Sequence, residues 1–162
     1  MPDPHRPADD DARTRARAFL EGATHGALAT LAGGAPLVTR VGVLWLPGRG
    51  MGMLLSALSD HTQALRCEPA CALLLGDVPP RGDPLAHPRV TLRGHAAVAE
   101  DKAGLREAWL AARVKARLYY DLPDFAVWCL APTDALLVAG FGRAHRLSSS
   151  DFDLHRSPDL SR

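Results

Sequence analysis

Cysteine, charge imbalance and long apolar runs are all scarce in this chain, and each scarcity closes off a class of function. Three cysteines stand at positions 67, 71 and 129, none of them in a CxxC pair. They supply neither a disulfide framework nor a zinc knuckle, and they suit reduced thiols in a cytoplasmic setting. Acidic and basic residues nearly cancel, with a formal net charge of +1, so no broad electrostatic footprint for nucleic acid or an anionic membrane is expected. No stretch approaches the roughly 20 apolar residues that cross a bilayer. Residues 1–12, rich in Pro and Asp, lack the basic-then-apolar order of a signal peptide. GxSxG, P-loop, HExxH and helix-opening GxGxxG patterns are also missing. The seven histidines have no metal-ligand spacing, so no metal site is expected.

What remains is the pattern of a single domain, long enough at 162 residues to bury a true core. Residues 11–21 have helical spacing and stop at Gly22. Strands follow over 26–32 and 37–46, separated by Gly33-Gly34, and a turn at Pro47-Gly48-Arg49-Gly50 leads into a strand over 51–56. A short helix over about 60–67 is broken by Glu68-Pro69, and 71–75 reads as a buried strand. After a Pro/Gly/Asp loop over 76–88, the strand 90–99 sets Val90, Leu92, Ala96 and Val98 against Arg89, Thr91, Arg93 and His95. The spacing of Leu105, Trp109, Ala112 and Ala116 predicts one helix over 102–118, with Arg113, Lys115 and Arg117 at the negative end of its dipole. Two last strands, 125–130 and 135–141, flank a turn at 131–134. Short strands with hairpin links and few helices exclude a doubly wound parallel sheet, which needs a helical crossover between strands. The expectation is a mainly β domain with flanking helices, built as a closed or partly closed antiparallel barrel. Residues 1–10 read as a flexible lead, 11–147 as the domain and 148–162 as a flexible Ser/Asp/Arg-rich tail.

The most informative stretch is Leu54 to Leu65, a buried strand that ends in small hydroxyl residues and turns into a helix. Such a junction aims backbone N–H groups at an anion, for instance a cofactor phosphate. Ser56, Ser59, His61 and Thr62 surround that point. A plain helix cap competes with this reading, because Asp60 and Gln63 have capping-box spacing. Arg40 shares a strand face with Val38, Gly42 and Leu44 and needs an anionic partner, either a phosphate or a carboxylate of the same protein. Thr39, on the opposite face, reads as core. The stripe Arg89, Thr91, Arg93 and His95 is either a solvated face or a basic lining for an acidic ligand. Gly140-Phe141-Gly142 reads as a bend ending the sheet, and His145 and His155 are candidate haem-iron ligands.

Taken in order, the segments resemble the pyridoxamine 5'-phosphate oxidase-like, FMN-binding split-barrel superfamily, and within it the haem-utilisation-related branch. The resemblance spans about residues 13–146. It rests on the run from Ser56 to Leu65, on Asp83-Pro84-Leu85-Ala86-His87-Pro88-Arg89-Val90-Thr91-Leu92-Arg93-Gly94, on Tyr119 through Phe125, and on Gly140-Phe141-Gly142-Arg143-Ala144. It implies a six-stranded antiparallel split β-barrel, a homodimer, and FMN in a groove between subunits, serving a flavin-dependent oxidoreductase with a small-molecule substrate. By that similarity Thr39, Arg40 and Val41, with Leu55, Ser56, Ser59, His61 and Thr62, would hold the FMN phosphate and ribityl chain. Arg89 would approach the isoalloxazine ring, and Phe125 to Trp128 would shape the pocket. The alternatives are a haem-binding or haem-utilisation protein, or a split-barrel dimer without a cofactor.

The chain departs from the pattern at four points. His61-Thr62 stands where the oxidases have Arg-Lys, Ala64 where the haem-related branch carries Asn, Thr39 where Ser is common, and Ala139 where the pattern often has glycine. Losing two fixed cations would weaken phosphate capture, since each charged hydrogen bond is worth roughly 1.5–3 kcal/mol. The chain is also expected to lack the additional C-terminal domain of many haem-utilisation relatives.

Overall fold

Turn chemistry fixes where this chain reverses. Gly33 and Gly34 (φ 59° and 82°) join the first long hairpin, and Gly48 and Gly50 (φ 75° and 93°) the second. These left-handed values are open to glycine at little cost. The computed structural model describes residues 6–140 and 143–152. Its elements run β1 (Arg6–Pro7), α1 (Asp10–Gly22), β2 (His25–Ala32), β3 (Ala35–Leu46), β4 (Gly50–Ser56), α2 (Asp60–Cys67), β5 (Ala70–Leu75), β6 (Arg89–Val98), α3 (Lys102–Ala112), β7 (Phe125–Val138) and β8 (Ala144–Ser148).

Six antiparallel strands in the order β7-β4-β3-β2-β5-β6 close on themselves where β6 pairs with β7, which makes the expected barrel. Strand alternation fills its interior with Leu28, Val41, Val43, Met51, Met53, Leu55, Leu73, Val90, Leu92, Leu130 and Leu137. Helix α1, capped by Asp9 through a 2.8 Å bond from the Ala12 amide, adds Ala12, Ala16 and Leu20 to that core. A second apolar layer lies outside the barrel, where Leu105, Trp109 and Leu110 of α3 cover Leu46 and Val127. The barrel is split because β3 pairs with β4 only through residues 43–46. The remaining length of β3 is free of β4, and α2 contacts it there.

Three expectations are revised. The helix expected over 102–118 ends at Ala112, because Arg113 leaves helical geometry (φ −137°, ψ 74°) and Val114–Leu118 tightens into a 3-10 turn. Ala112 is exposed rather than part of the seam. Arg113 does not merely serve the helix dipole: its Nη2 donates to the carbonyl oxygens of Ala23 (3.0 Å) and Val43, tying the end of α3 to the end of α1 and to β3. The strands expected over 125–130 and 135–141 are one strand, β7, which ends at Val138 and passes its register shift opposite Arg93 and Gly94. A Cβ on Gly94 would overlap the Ala131 carbonyl, so only glycine permits this close approach. The strand-end bend at Phe141 and Gly142 lies outside the described residues. Finally, the first part of the expected tail is packed. Phe152 is buried in the main core and Asp151 meets Arg13 at 2.7 Å, while in the expected lead Arg6 and Pro7 pair with β8.

Candidate functional site

Helix α2 begins at an N-cap, Ser59, whose extended backbone (φ −82°, ψ 140°) lets its carbonyl accept from the amides of Thr62 (3.0 Å) and Gln63 (3.1 Å). The Ser59 hydroxyl makes no capping bond. The capping box suggested by Asp60 and Gln63 does not form: Gln63 Nε2 donates instead to the Ala57 carbonyl at 2.5 Å, and Asp60 is exposed. The positive end of this helix is therefore not plugged by its own carboxylate. Ser56 holds the turn in front of it, donating to Asp124 Oδ2 (2.6 Å) and accepting from the Leu58 amide (3.1 Å). The Ala57 amide bonds the Asp124 carbonyl at 2.7 Å. Asp124 is thus the anchor of the turn. Sequence reasoning missed it because it lies 68 positions away from Ser56 and has no local pattern.

His61 faces β3, with its Nδ1 at 3.1 Å from Thr39 Oγ1. Burial pushes its imidazole below the ordinary histidine range, and the neighbouring Asp60 only partly opposes that. At neutral pH the ring is therefore uncharged and adds no fixed cation. Arg40 is exposed, and no carboxylate or other partner meets it among the described residues. Its register partner is Ala27, and on the same outward face stand Val38 and Gly42, with nothing within 4 Å of a Cβ built on Gly42. The structure so brings Thr39 of β3 to His61 in the first turn of α2, with Ser56 and Ser59 in the turn before it, while Arg40, the next residue of β3, points to the opposite, outward face.

The other residues singled out from the sequence are placed differently. Val41 (5% exposed) and Leu55 (3%) are core side chains and can offer a ligand only their backbone. Thr62 is 1% exposed, and its Oγ1 lies buried without a partner rather than at the mouth of the site. Arg89 is used locally, its Nη1 donating to the carbonyls of Leu85 (3.1 Å) and His87 (3.3 Å) in the loop before β6. Of its stripe, Arg93 pairs with Asp134 at 2.8 Å and His95 is exposed, a largely solvated face. His145 is buried, its Nδ1 3.4 Å from the Pro7 carbonyl. His155 lies outside the described residues. No group of three or more His, Cys, Asp or Glu able to hold a metal ion occurs among the described residues, and no helix is long and apolar enough to cross a membrane.

Comparison with known proteins places this geometry. The family model described as pyridoxamine 5'-phosphate oxidase matches residues 12–139. One solved structure is 40% identical and covers 91% of this chain and 98% of its own (TM-score 0.84). A heme binding protein from Mycobacterium smegmatis is 32% identical over 91% of this chain (TM-score 0.80), which spans only 61% of that protein. ChuZ from Campylobacter jejuni, 16% identical, shares the fold over 97% of this chain and 68% of its own (TM-score 0.80). No curated protein sequence matches. With most of its length matched by the family model and its six strands closed as a split barrel, the chain belongs to the pyridoxamine 5'-phosphate oxidase family.

Proposed function

We propose that the protein binds FMN at the split between β3 and β4 and works as a cytoplasmic, flavin-dependent oxidoreductase on a small-molecule substrate. The observation that carries this reading is Arg40, an exposed guanidinium without a carboxylate partner among the described residues, one position along β3 from the Thr39 that meets the first turn of α2, a helix start that its own aspartate leaves open. A phosphate suits that donor set: a planar cation, the free Ser59 hydroxyl and first-turn amides. Thr39 and His61, already bonded to each other, offer neutral hydrogen-bonding groups next to it. When bound, the flavin supplies the electron chemistry. The chain's own residues bind and orient it, and no side chain here is assigned as acid or base.

We assign the homodimer contact to the outward face of β3-β2-β5. Register there aligns Val38, Ala29 and Ala72, with Leu31 and Leu74 beside them. Val38 is 63% exposed, Leu31 41% and Leu74 42%. An apolar sheet face of this kind, with Arg40 at its border, marks an interaction surface rather than a solvated one. Arg40 stands on the same face, so a second copy seated there would border the flavin site. Val38→Asp is expected to shift sedimentation from dimer to monomer; an unchanged profile refutes this face.

The flavin reading is tested by absorption and mass spectra of the purified protein and by FMN titration. Arg40→Ala is expected to weaken FMN at least about tenfold, the loss of one charged hydrogen bond. Unchanged affinity refutes the assignment. A haem-binding role is the second reading, favoured by the 32% identity to a protein described as heme binding. Haem propionates are anions that the same cluster would accept. His145 is an unsuitable axial ligand because it is buried against Pro7. A Soret band on haem addition that survives His145→Ala supports this reading.

A further inference from the structure

Helix α1 and the loop between β5 and β6 enclose a groove of about 400 Å³ that plays no part in the site above. Its walls are Ala18, Phe19, Pro79 and Pro88, and a contiguous hollow of about 260 Å³ extends it past Leu137 and Ala139, sharing Ala18, Phe19 and Pro88. These walls are stiff. Two prolines and a helix face line them, and Arg89 pins the loop by donating to Leu85 and His87. Asp83 closes the turn with a 2.9 Å bond from the Leu85 amide. One end is polar: Gly76 (φ 129°) turns the chain so that Asp77 Oδ1 meets His25 Nε2 at 3.2 Å, and His25 Nδ1 lies 2.9 Å from Thr24 Oγ1.

We propose that this groove is a second ligand site, for a flat, uncharged aromatic molecule carrying one hydroxyl donor. Charge decides the first property. Asp77 carries the groove's carboxylate, already engaged by His25 Nε2, and Arg15 at the far end is paired with Asp11 at 2.8 Å, so no unpaired Lys or Arg awaits an anion. The walls decide the second, since a half-buried phenyl ring and two prolines stack against a planar ring. Proton bookkeeping decides the third. With Nε2–H given to Asp77, a neutral His25 has Nδ1 as an acceptor; Thr24 donates to it and keeps its lone pairs for an incoming hydroxyl. The inference does not rest on the flavin reading, because no residue of the Arg40 cluster lines the groove.

The test is a titration of the full chain with phenol, toluene and phenyl phosphate, followed by backbone amide NMR. Phenol is expected to give saturable shifts centred on Phe19, Thr24, His25 and Asp77 and to bind at least about threefold tighter than toluene, with phenyl phosphate excluded. Thr24→Val is expected to erase the preference for phenol while leaving the toluene shifts, and Phe19→Ala to weaken both ligands. Scattered or non-saturating shifts, or a phenol preference that survives Thr24→Val, overturn the proposal. So does displacement of phenol by FMN, which would make the groove part of the flavin's own site. Phenol binding in protein that takes up no FMN supports the groove and counts against the flavin reading alone.

Discussion

Replacing Thr62 by valine should make this protein more stable, against the usual direction of core substitutions. Thr62 is 1% exposed, and its Oγ1 has no partner among the described residues. Its amide is already bonded to the Ser59 carbonyl at 3.0 Å, so the helix start does not depend on the hydroxyl. Leaving a buried hydroxyl unsatisfied costs about 1–3 kcal/mol, and valine replaces it with a methyl of nearly the same shape. The helix propensities of the two residues are almost equal, so the backbone adds little either way. A net gain of about 1–2 kcal/mol follows, and in a domain of this length each kcal/mol moves Tm by about 2–4 °C. Urea and thermal unfolding by circular dichroism should therefore place Thr62→Val about 2–8 °C above the parent. Thr62→Ser, which keeps the hydroxyl and loses the methyl, should fall below it. A lower Tm for Thr62→Val would mean the hydroxyl is satisfied in solution. A loss of FMN affinity in that variant would mean the side chain serves the ligand after all, and the burial argument would fail.

Other consequences follow from the same contacts. Because burial holds His61 below the ordinary histidine range, protonation of that ring adds a cation beside the proposed phosphate position only as the pH falls; on that proposal FMN affinity should rise toward acid pH, and His61→Ala should flatten that rise in a fluorescence titration. Arg113→Met leaves the carbonyls of Ala23 and Val43 without their donor and should cost about 2–3 kcal/mol in urea unfolding, whereas Arg117→Met, on the exposed 3-10 turn, should cost far less. For Asp151, burial pushes the carboxyl up, but the bonds from Arg13 and Ser148 outweigh it and hold it below the ordinary carboxylate range. A depressed folded-state value gives stability that is present above the unfolded value and lost as pH falls through the folded one. Asp151→Asn should accordingly remove part of the acid-induced drop in the urea midpoint, and an unchanged acid limb would refute the clamp to Arg13.

Alternation and turn residues act over a few neighbouring positions, so strands β2 to β6, the limits of α2 at residues 60–67 and the barrel class were legible in the sequence. The sequence also marked Arg40 and the Ser56–Thr62 turn as a place for an anion. Tertiary structure alone decided how those residues are used. Periodicity assigns a side chain to a face but not to what packs on that face, so Thr62 and Leu55 turned into the core while Arg40 stayed exposed. Asp124 and Arg113 act across 68 and 70 positions of chain, on Ser56 and on the Val43 carbonyl, beyond any local pattern. Phe152 shows the same limit, since a short Ser/Asp-rich segment reads as a tail until a barrel end is there to bury its one aromatic ring.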